Sequence, residues 1–184
     1  MDENNIKILA ISGSVRDNSS NSKLLRAVAN LSSENVVFKF YNELETLPHF
    51  NPGIDNDESP PAPVTILRNY LKEADGVLFS TPEYANGVPG VLKNALDWIV
   101  SSGEFMNKPV AVISGSPHPG GGEKAHASLL LTLNMLSAKI VEGGTMMIPF
   151  ITTKLNADGK ITDPVMKQEL INLINALVDD INKH

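Results

Sequence analysis

Two hydrophobic periods alternate along the whole chain. Short runs rich in β-branched residues, which are typical of buried strands, occur five times, and apolar residues at helical spacing lie between and after them. The pattern predicts strands at residues 6–11, 36–41, 76–81, 109–114 and 139–148. It predicts helices at residues 21–31, 64–74, 90–100, 122–136 and 164–181. This alternation indicates an α/β fold, a parallel sheet with helices on both faces, because parallel strands need crossover connections.

The pattern indicates one domain that covers residues 1–184, since no internal repeat and no linker divides the chain. The irregular region is residues 47–63, which contains five prolines and little periodicity. A loop of this length is often functional or mobile, and a solvated surface loop is the favoured interpretation. Arg68, Lys72 and Glu73 are predicted to form the solvated face of the helix that follows.

Charge and composition exclude several classes of protein. Fifteen Lys and Arg against 21 Asp and Glu give a net charge of −6, which argues against a nucleic-acid partner. The absence of cysteine excludes disulfides, thiolate metal sites and cysteine nucleophiles. The acidic first residues and the lack of a long apolar run argue against a signal peptide and a membrane span, so we expect a cytoplasmic protein. No metal site is expected, because His118 has no second ligand at a suitable spacing.

Polar loops follow the first, third and fourth predicted strands. Ligands of open parallel sheets bind beyond the carboxyl ends of the strands, so these loops are the candidate site. The first loop combines hydroxyls, one arginine and backbone N–H groups at a helix N-terminus, as a phosphate site requires. Helix capping needs only one such side chain, and the loop has four, Ser14, Ser19, Ser20 and Asn21.

The second and third loops have a different character. Residues 82–90 contain two prolines and two glycines beside Tyr84, which suits a rigid wall for a flat ring, although a tight turn before a helix would also explain them. Glu83 is interpreted as a structural or backbone contact rather than a general acid. Residues 115–122 end in three glycines, which allow a close approach to a ligand. They match a dinucleotide fingerprint only weakly and lack the Lys of a phosphate-binding P-loop. Trp98 is predicted to lie in the core or a subunit interface.

Taken together, three motifs resemble the NADPH-dependent FMN reductases, a family that includes bacterial quinone, azo-dye and chromate reductases. They are GSVRDNSSN at 13–21, TPEYA at 81–85 with VPGVLKNALDW at 88–98, and Ser116-Pro117 with Gly121-Gly122. The resemblance implies a flavodoxin-like three-layer sandwich with strand order 2-1-3-4-5. It also implies bound FMN, with its phosphate on Ser14, Arg16, Ser19, Asn21 and the N–H of Ser20. The isoalloxazine would then be lined by Pro82, Glu83, Tyr84 and Ala85, with Ser116 and Gly121 at the ring or ribityl chain.

The resemblance further implies an oxidoreductase. NADPH or NADH would donate hydride, and a small acceptor such as a quinone, an azo dye or a metal oxyanion would then take the electrons, in a ping-pong reaction that needs no acid–base residue. Such proteins usually form homodimers or homotetramers, here through the Trp98 helix and the 47–63 loop. Two departures from the family pattern, Ala85 for the usual Asn and His118 for the usual Gly, bear on substrate choice. The alternatives are an FMN-binding electron carrier or redox sensor without NADPH activity, and a protein that binds another phosphorylated ligand.

Overall fold

A computed structural model of the chain describes residues 5–56 and 59–183. The acidic first residues, on which the argument against a signal peptide rests, lie outside this range at positions 1–4, as do residues 57, 58 and 184. The strands are β1 Ile6–Ser12, β2 Val36–Tyr41, β3 Gly76–Thr81, β4 Pro109–Gly115 and β5 Lys139–Ile148. The helices are α1 Ser20–Ala29, α2 Ala62–Glu73, α3 Gly90–Asp97, α4 Glu123–Met135, α5 Ile151–Lys154 and α6 Pro164–Ile181, and a 3₁₀ turn covers Leu44–Thr46.

The five strands form one parallel sheet in the order β2-β1-β3-β4-β5. This order confirms the predicted fold class. Every residue of β3 and β4 is buried, as expected for central strands that helices cover on both faces. β2 lies on one side of β1, whereas β3, β4 and β5 follow on the other side, so the direction in which strands are added reverses at β1. An open sheet forms its ligand crevice at such a switch point.

Two hydrophobic layers cover the sheet. Alternate strand residues point to opposite faces, so that Leu9 and Phe79 pack with α2, α3 and α4, whereas Ile8 and Leu78 pack with α1 and α6. Trp98 is fully buried in the first layer. This confirms the core interpretation, and the indole itself is therefore not available to a subunit interface.

The 47–63 loop is tied to the core, and its interpretation as a solvated loop is wrong at its anchored residues. Trp98 Nε1 and Asn94 Nδ2 both donate to the carbonyl of Pro48, at 2.8 and 2.9 Å. Asn94 Oδ1 accepts from the N–H of Phe50 at 2.7 Å, and the Phe50 ring packs edge-on against Trp98 at 5.1 Å. The α3 helix therefore determines the path of the first part of the loop.

Arg68 is also buried, which corrects the prediction that it lies on a solvated helix face. It is only 5% exposed, and its Nη2 donates to Asp55 Oδ1 at 2.7 Å and to the carbonyl of Trp98 at 2.8 Å. Its partners come from the loop and from the end of α3, so a local charge pattern could not identify them. Lys72 and Glu73 remain exposed as predicted.

His126 makes the stability of the fold dependent on pH. The imidazole is buried on α4, its Nδ1 has no hydrogen-bond partner, and burial lowers its pKa below the ordinary value of 6.5. The folded state therefore favours the neutral ring, and stability is lost as the pH falls from 6.5 through the folded-state pKa.

We expect His126→Gln to lose less thermal stability than the wild type between pH 7 and 5. The exposed His49→Gln is the control, and equal pH slopes for wild type and His126→Gln would contradict the prediction.

Candidate functional site

The three polar loops meet at the carboxyl ends of β1, β3 and β4, which are neighbours in the sheet. Direct hydrogen bonds connect them. The hydroxyls of Ser14 in the first loop and Tyr84 in the second lie 3.5 Å apart, and Glu83 of the second loop binds the helix that follows the third. All three loops therefore lie at the same edge of the sheet, at the switch point where open parallel sheets form their ligand crevice.

The first loop ends in a capped helix N-terminus. Ser19 is the N-cap of α1, and its Oγ accepts from the N–H of Ser22 at 3.4 Å. Ser20 and Asn21 form the first turn, where backbone N–H groups have no intrahelical acceptor. Ser14 is buried, and its Oγ accepts from the N–H of Arg16 at 3.4 Å. The loop thus presents hydroxyls and N–H donors in the arrangement that an anion requires.

Arg16 is the cation of this loop. Its side chain is exposed, and it makes no ion pair with any residue in the described part of the chain. A cleft of about 260 Å³ beside it is lined by Ser14, Arg16 and Arg26 together with the carboxylates of Asp17 and Glu45. The Arg16 guanidinium is therefore available to a ligand.

Asn21 connects the helix to two strand ends. Its Nδ2 donates to the carbonyl of Gly115 at 3.0 Å, its Oδ1 accepts from Ser80 Oγ at 2.9 Å, and the residue is 3% exposed. Both polar atoms of the side chain are thus hydrogen-bonded. The side chain therefore has a structural role that the motif alone did not indicate. One N–H of Nδ2 has no partner among these bonds, and the predicted phosphate contact of Asn21 stays a prediction.

The second loop is a tight hairpin at the wall of the crevice. Tyr84 and Gly87 exchange backbone hydrogen bonds of 3.1 and 3.0 Å, and Ala85 and Asn86 between them have φ angles of 49° and 61°. These features define a two-residue turn of type I′. The turn leaves Tyr84 46% exposed. Pro82 is buried at the base of the loop, and its carbonyl accepts from the hydroxyl of Thr81 at 2.9 Å.

Ala85 strains this hairpin, because an alanine in the left-handed region costs about 1–2 kcal/mol relative to a helical or extended one. Glycine has no such penalty, and asparagine tolerates the region better than alanine. We expect Ala85→Gly and Ala85→Asn each to raise the free energy of unfolding by about 1 kcal/mol in urea titrations. The control is Ala127→Gly on the exposed face of α4, where glycine should lower it by about 1 kcal/mol. A loss of stability in both Ala85 variants would contradict the prediction.

Glu83 caps α4 from the second loop. Its Oε2 accepts from the backbone N–H groups of Lys124 and Ala125, at 2.8 and 3.1 Å. The helix N-terminus therefore already holds a carboxylate, and the carboxylate is engaged by two donors. This agrees with a structural contact for Glu83 and leaves it poorly placed for proton transfer. Its partners lie more than 40 residues away, which explains why the sequence did not reveal them.

The third loop is held by contacts within the protein at Ser116 and Gly121. Ser116 is buried, and its Oγ accepts from the N–H of His118 at 3.1 Å. Gly121 is also buried, and a Cβ there would lie 3.1 Å from the backbone nitrogen of Pro149. The α-carbon of Gly121 thus packs on the end of β5, and its carbonyl accepts from Ser114 Oγ at 2.9 Å. The contacts of Ser116 and Gly121 with the ring or ribityl chain stay predictions.

Phe150 is a rim residue that the sequence did not indicate. It follows β5, has a φ of 53°, is exposed, and its N–H lies 3.5 Å from the carbonyl of His118. His118 itself is exposed at the tip of the third loop. In the sequence, only the preceding Pro149 indicates a loop at Phe150, since no glycine and no polar motif stands directly beside it.

A parallel sheet of this order, with a cationic helix N-terminus at its switch point, defines a flavodoxin-like protein that binds a phosphorylated ligand. The model of one family, the NADPH-dependent FMN reductases, matches residues 6–153, and the chain belongs to this family. Membership confirms the resemblance seen in the motifs. It makes the chain an oxidoreductase with FMN as cofactor and NAD(P)H as electron donor.

Individual relatives agree with this assignment. The chain is 32% identical over 174 residues to an NAD(P)H-dependent FMN reductase of Pseudomonas aeruginosa, covering 94% of this chain and 93% of the relative. It is 31% identical over 179 residues to an NADPH:quinone oxidoreductase of Arabidopsis thaliana, covering 94% and 90%. Among solved structures, the flavoenzyme NAD(P)H:(acceptor) oxidoreductase FerB of Paracoccus denitrificans superposes with a TM-score of 0.86 at 31% identity, covering 97% and 98%.

The donor set of the crevice fits FMN. A phosphate monoester needs N–H and hydroxyl donors with a cation, which the first loop supplies, and a flat ring needs a rigid wall, which the hairpin supplies. No group of three or more His, Asp or Glu side chains suited to a metal ion occurs within residues 5–56 and 59–183. Over the same residues, no helix is both long enough and apolar enough to span a bilayer.

Proposed function

We propose that the protein transfers electrons from NAD(P)H, through FMN bound in the crevice, to a small acceptor such as a quinone, an azo dye or a metal oxyanion. Donor and acceptor would use the same face of the crevice in turn, which gives ping-pong kinetics. The observation that carries the proposal is the helix N-terminus of α1, where Ser19 caps the helix and Ser14 meets Tyr84 of the hairpin. Arg16 of the same loop makes no ion pair within residues 5–56 and 59–183.

The phosphate of FMN would be held by the first loop. Ser14 and Ser19 supply hydroxyls, Ser20 and Asn21 supply backbone N–H groups, and Arg16 supplies the charge. The dipole of α1 adds to this attraction, because its N-terminus carries a partial positive charge. The ring would lie against Pro82, Glu83, Tyr84 and Ala85, and Ser116 and Gly121 would border the ring or the ribityl chain.

When bound, FMN supplies the redox chemistry, hydride acceptance from NAD(P)H and electron transfer to the second substrate. The chain supplies placement. Glu83 accepts hydrogen bonds from two backbone N–H groups of α4, and this structural role agrees with a reaction that needs no acid–base residue. The exposed aromatic rings of Tyr84 and Phe150 at the rim suit a planar, partly apolar acceptor such as a quinone.

Initial rates test the order of the reaction. FMN-loaded protein is assayed with NADPH and 1,4-benzoquinone, each varied at several fixed concentrations of the other. Parallel lines in the double-reciprocal plot are expected, since the first product leaves before the acceptor binds. Intersecting lines would contradict ping-pong kinetics. Oxidation of NADPH that requires an added partner reductase would instead favour the electron carrier.

We also propose that the protein is a homodimer or homotetramer and that α4 forms a contact. Leu131 and Met135 are 73% and 58% exposed, and their four-residue spacing places them on one face of this helix. Neighbouring apolar side chains that are this exposed are typical of an interaction surface.

Leu131→Glu should raise the dissociation constant of the assembly by about 100-fold, because a charge would replace an apolar contact in the interface. Light scattering coupled to gel filtration over a concentration series measures this. Val165→Glu, an equally exposed apolar position on α6 across the sheet, is the matched control and should leave the mass unchanged. A wild-type protein that is monomeric throughout the series would contradict the proposal.

A further inference from the structure

A second cleft lies on the face of the molecule formed by α1 and α6, and it shares Arg26 with the cleft beside Arg16. It is an open cleft between α1, the turn that joins α5 to α6 and the first turns of α6, and it has a volume of about 430 Å³. We call it the basic groove, after the four cations in its wall, Lys23 and Arg26 of α1, Lys160 of the turn and Lys167 of α6.

The charge of the basic groove is opposite to that of the chain. Four cations and one carboxylate, Asp158, line it, whereas the whole chain has a net charge of −6. Within residues 5–56 and 59–183, none of the four cations forms an ion pair. Clustered like charges repel each other, and a bound anion would relieve the repulsion. The groove therefore favours an anionic ligand.

The wall of the groove is preformed. Leu155 and Ile161 pair as a short antiparallel bridge, and Asn156 Oδ1 accepts from the N–H of Lys160 at 2.8 Å. Lys23 Nζ donates to the carbonyl of Ala157 at 3.0 Å, which ties the turn to α1. Gly159 has a φ of +79°, and a Cβ there would lie 3.0 Å from the Cβ of Lys23. The turn therefore requires glycine at this point, and its backbone is held against α1.

The floor of the groove is apolar. Ala27, Leu31 and Ile161 line it, and the last two pack against the hydrophobic layer beneath. An apolar floor with a cationic rim is suited to a flat ring that carries a charged group. The volume lies in the range of small-molecule sites, which is about 300–1,000 Å³. We propose that the basic groove binds a nucleoside phosphate, with the base on the floor and the phosphates against Lys160 and Lys167.

Calorimetric titration with ADP at low ionic strength tests the proposal. The protein is saturated with FMN beforehand, so that the phosphate-binding loop before α1 is occupied. Amide shifts in labelled protein separate the basic groove from the NAD(P)H position in the crevice. Lys160→Gln and Lys167→Gln should each weaken ADP binding by about fivefold, and the double variant by about 25-fold, because each removes one cation at the rim. Lys183→Gln, which removes an exposed cation just beyond the other end of α6, is the matched control and should leave the affinity unchanged. Equal affinities for wild type and double variant would overturn the proposal.

Two further probes separate the parts of the ligand. Adenosine, which lacks phosphate, and pyrophosphate, which lacks the base, should each bind at least tenfold more weakly than ADP. Pyrophosphate that binds as tightly as ADP would overturn the role of the apolar floor. In ¹⁵N-labelled protein, ADP should shift the amide signal of Gly159, and shifts confined to the crevice would contradict the site. The measurements follow binding alone, so their outcome does not depend on whether the proposed electron transfer is correct.

Discussion

Replacing Arg16 with alanine is expected to weaken FMN binding by about 100-fold. The phosphate of FMN carries close to two negative charges, and a guanidinium can hold two of its oxygens at once. Hydrogen bonds between charged groups contribute about 1.5–3 kcal/mol each, and a loss of about 2.7 kcal/mol corresponds to 100-fold in affinity. Arg16 makes no ion pair in the described part of the chain, so its loss disturbs no internal contact of that kind.

This affinity is measured by adding FMN to the protein after its flavin has been removed, and by following the flavin fluorescence. Arg16→Lys keeps the positive charge but lacks the two parallel N–H donors of the guanidinium, so it should give an intermediate loss of FMN affinity. Lys183→Ala removes one exposed positive charge away from the crevice and is the control. An unchanged FMN affinity in Arg16→Ala, with the melting temperature also unchanged, would exclude the phosphate role of this residue.

Asn21→Ala is expected to lower the free energy of unfolding by about 2–4 kcal/mol. The change leaves the carbonyl of Gly115 and the hydroxyl of Ser80 without their partner in a buried position, and each such group costs about 1–3 kcal/mol. The same bonds fix α1 against β3 and β4, so FMN affinity should fall as well.

Urea unfolding measures the loss, with Asn18→Ala as the matched control. Asn18 is an exposed asparagine of the same loop, and its replacement should change the free energy of unfolding by less than about 0.5 kcal/mol. A loss below about 1 kcal/mol in Asn21→Ala would contradict the structural role of its side chain.

The sheet and most helices could be predicted because their signals are local. β3, β5 and α6 begin and end at the predicted residues, since a buried strand or an amphipathic helix shows its period in its own sequence. The strand order came from the resemblance to a family rather than from periodicity, which does not determine how strands are arranged. The position of the crevice then followed from the order, because β1, β3 and β4 are neighbours.

The contacts that could not be predicted from the sequence are those between residues far apart in the chain. Arg68 has the pattern of a surface residue, yet it is buried because Asp55 and the end of α3 supply its partners. Glu83 caps a helix that begins 40 residues later, and Asn21 reaches a carbonyl 94 residues away. Such side chains are polar in the sequence whether they meet water, a ligand or the protein itself. Only the three-dimensional arrangement separates a binding residue from a structural one.

Anaerobic addition of NADPH to the FMN-loaded, desalted protein tests most directly that this chain itself moves electrons from NADPH to its flavin. The visible absorbance band of the flavin should survive desalting, bleach on addition of one equivalent of NADPH, and return when benzoquinone is added. A flavin band that survives desalting but stays oxidised with NADPH would contradict the proposed reductase activity and favour a carrier or sensor. No retained band at all would contradict the FMN site built on Ser14, Arg16 and Ser19.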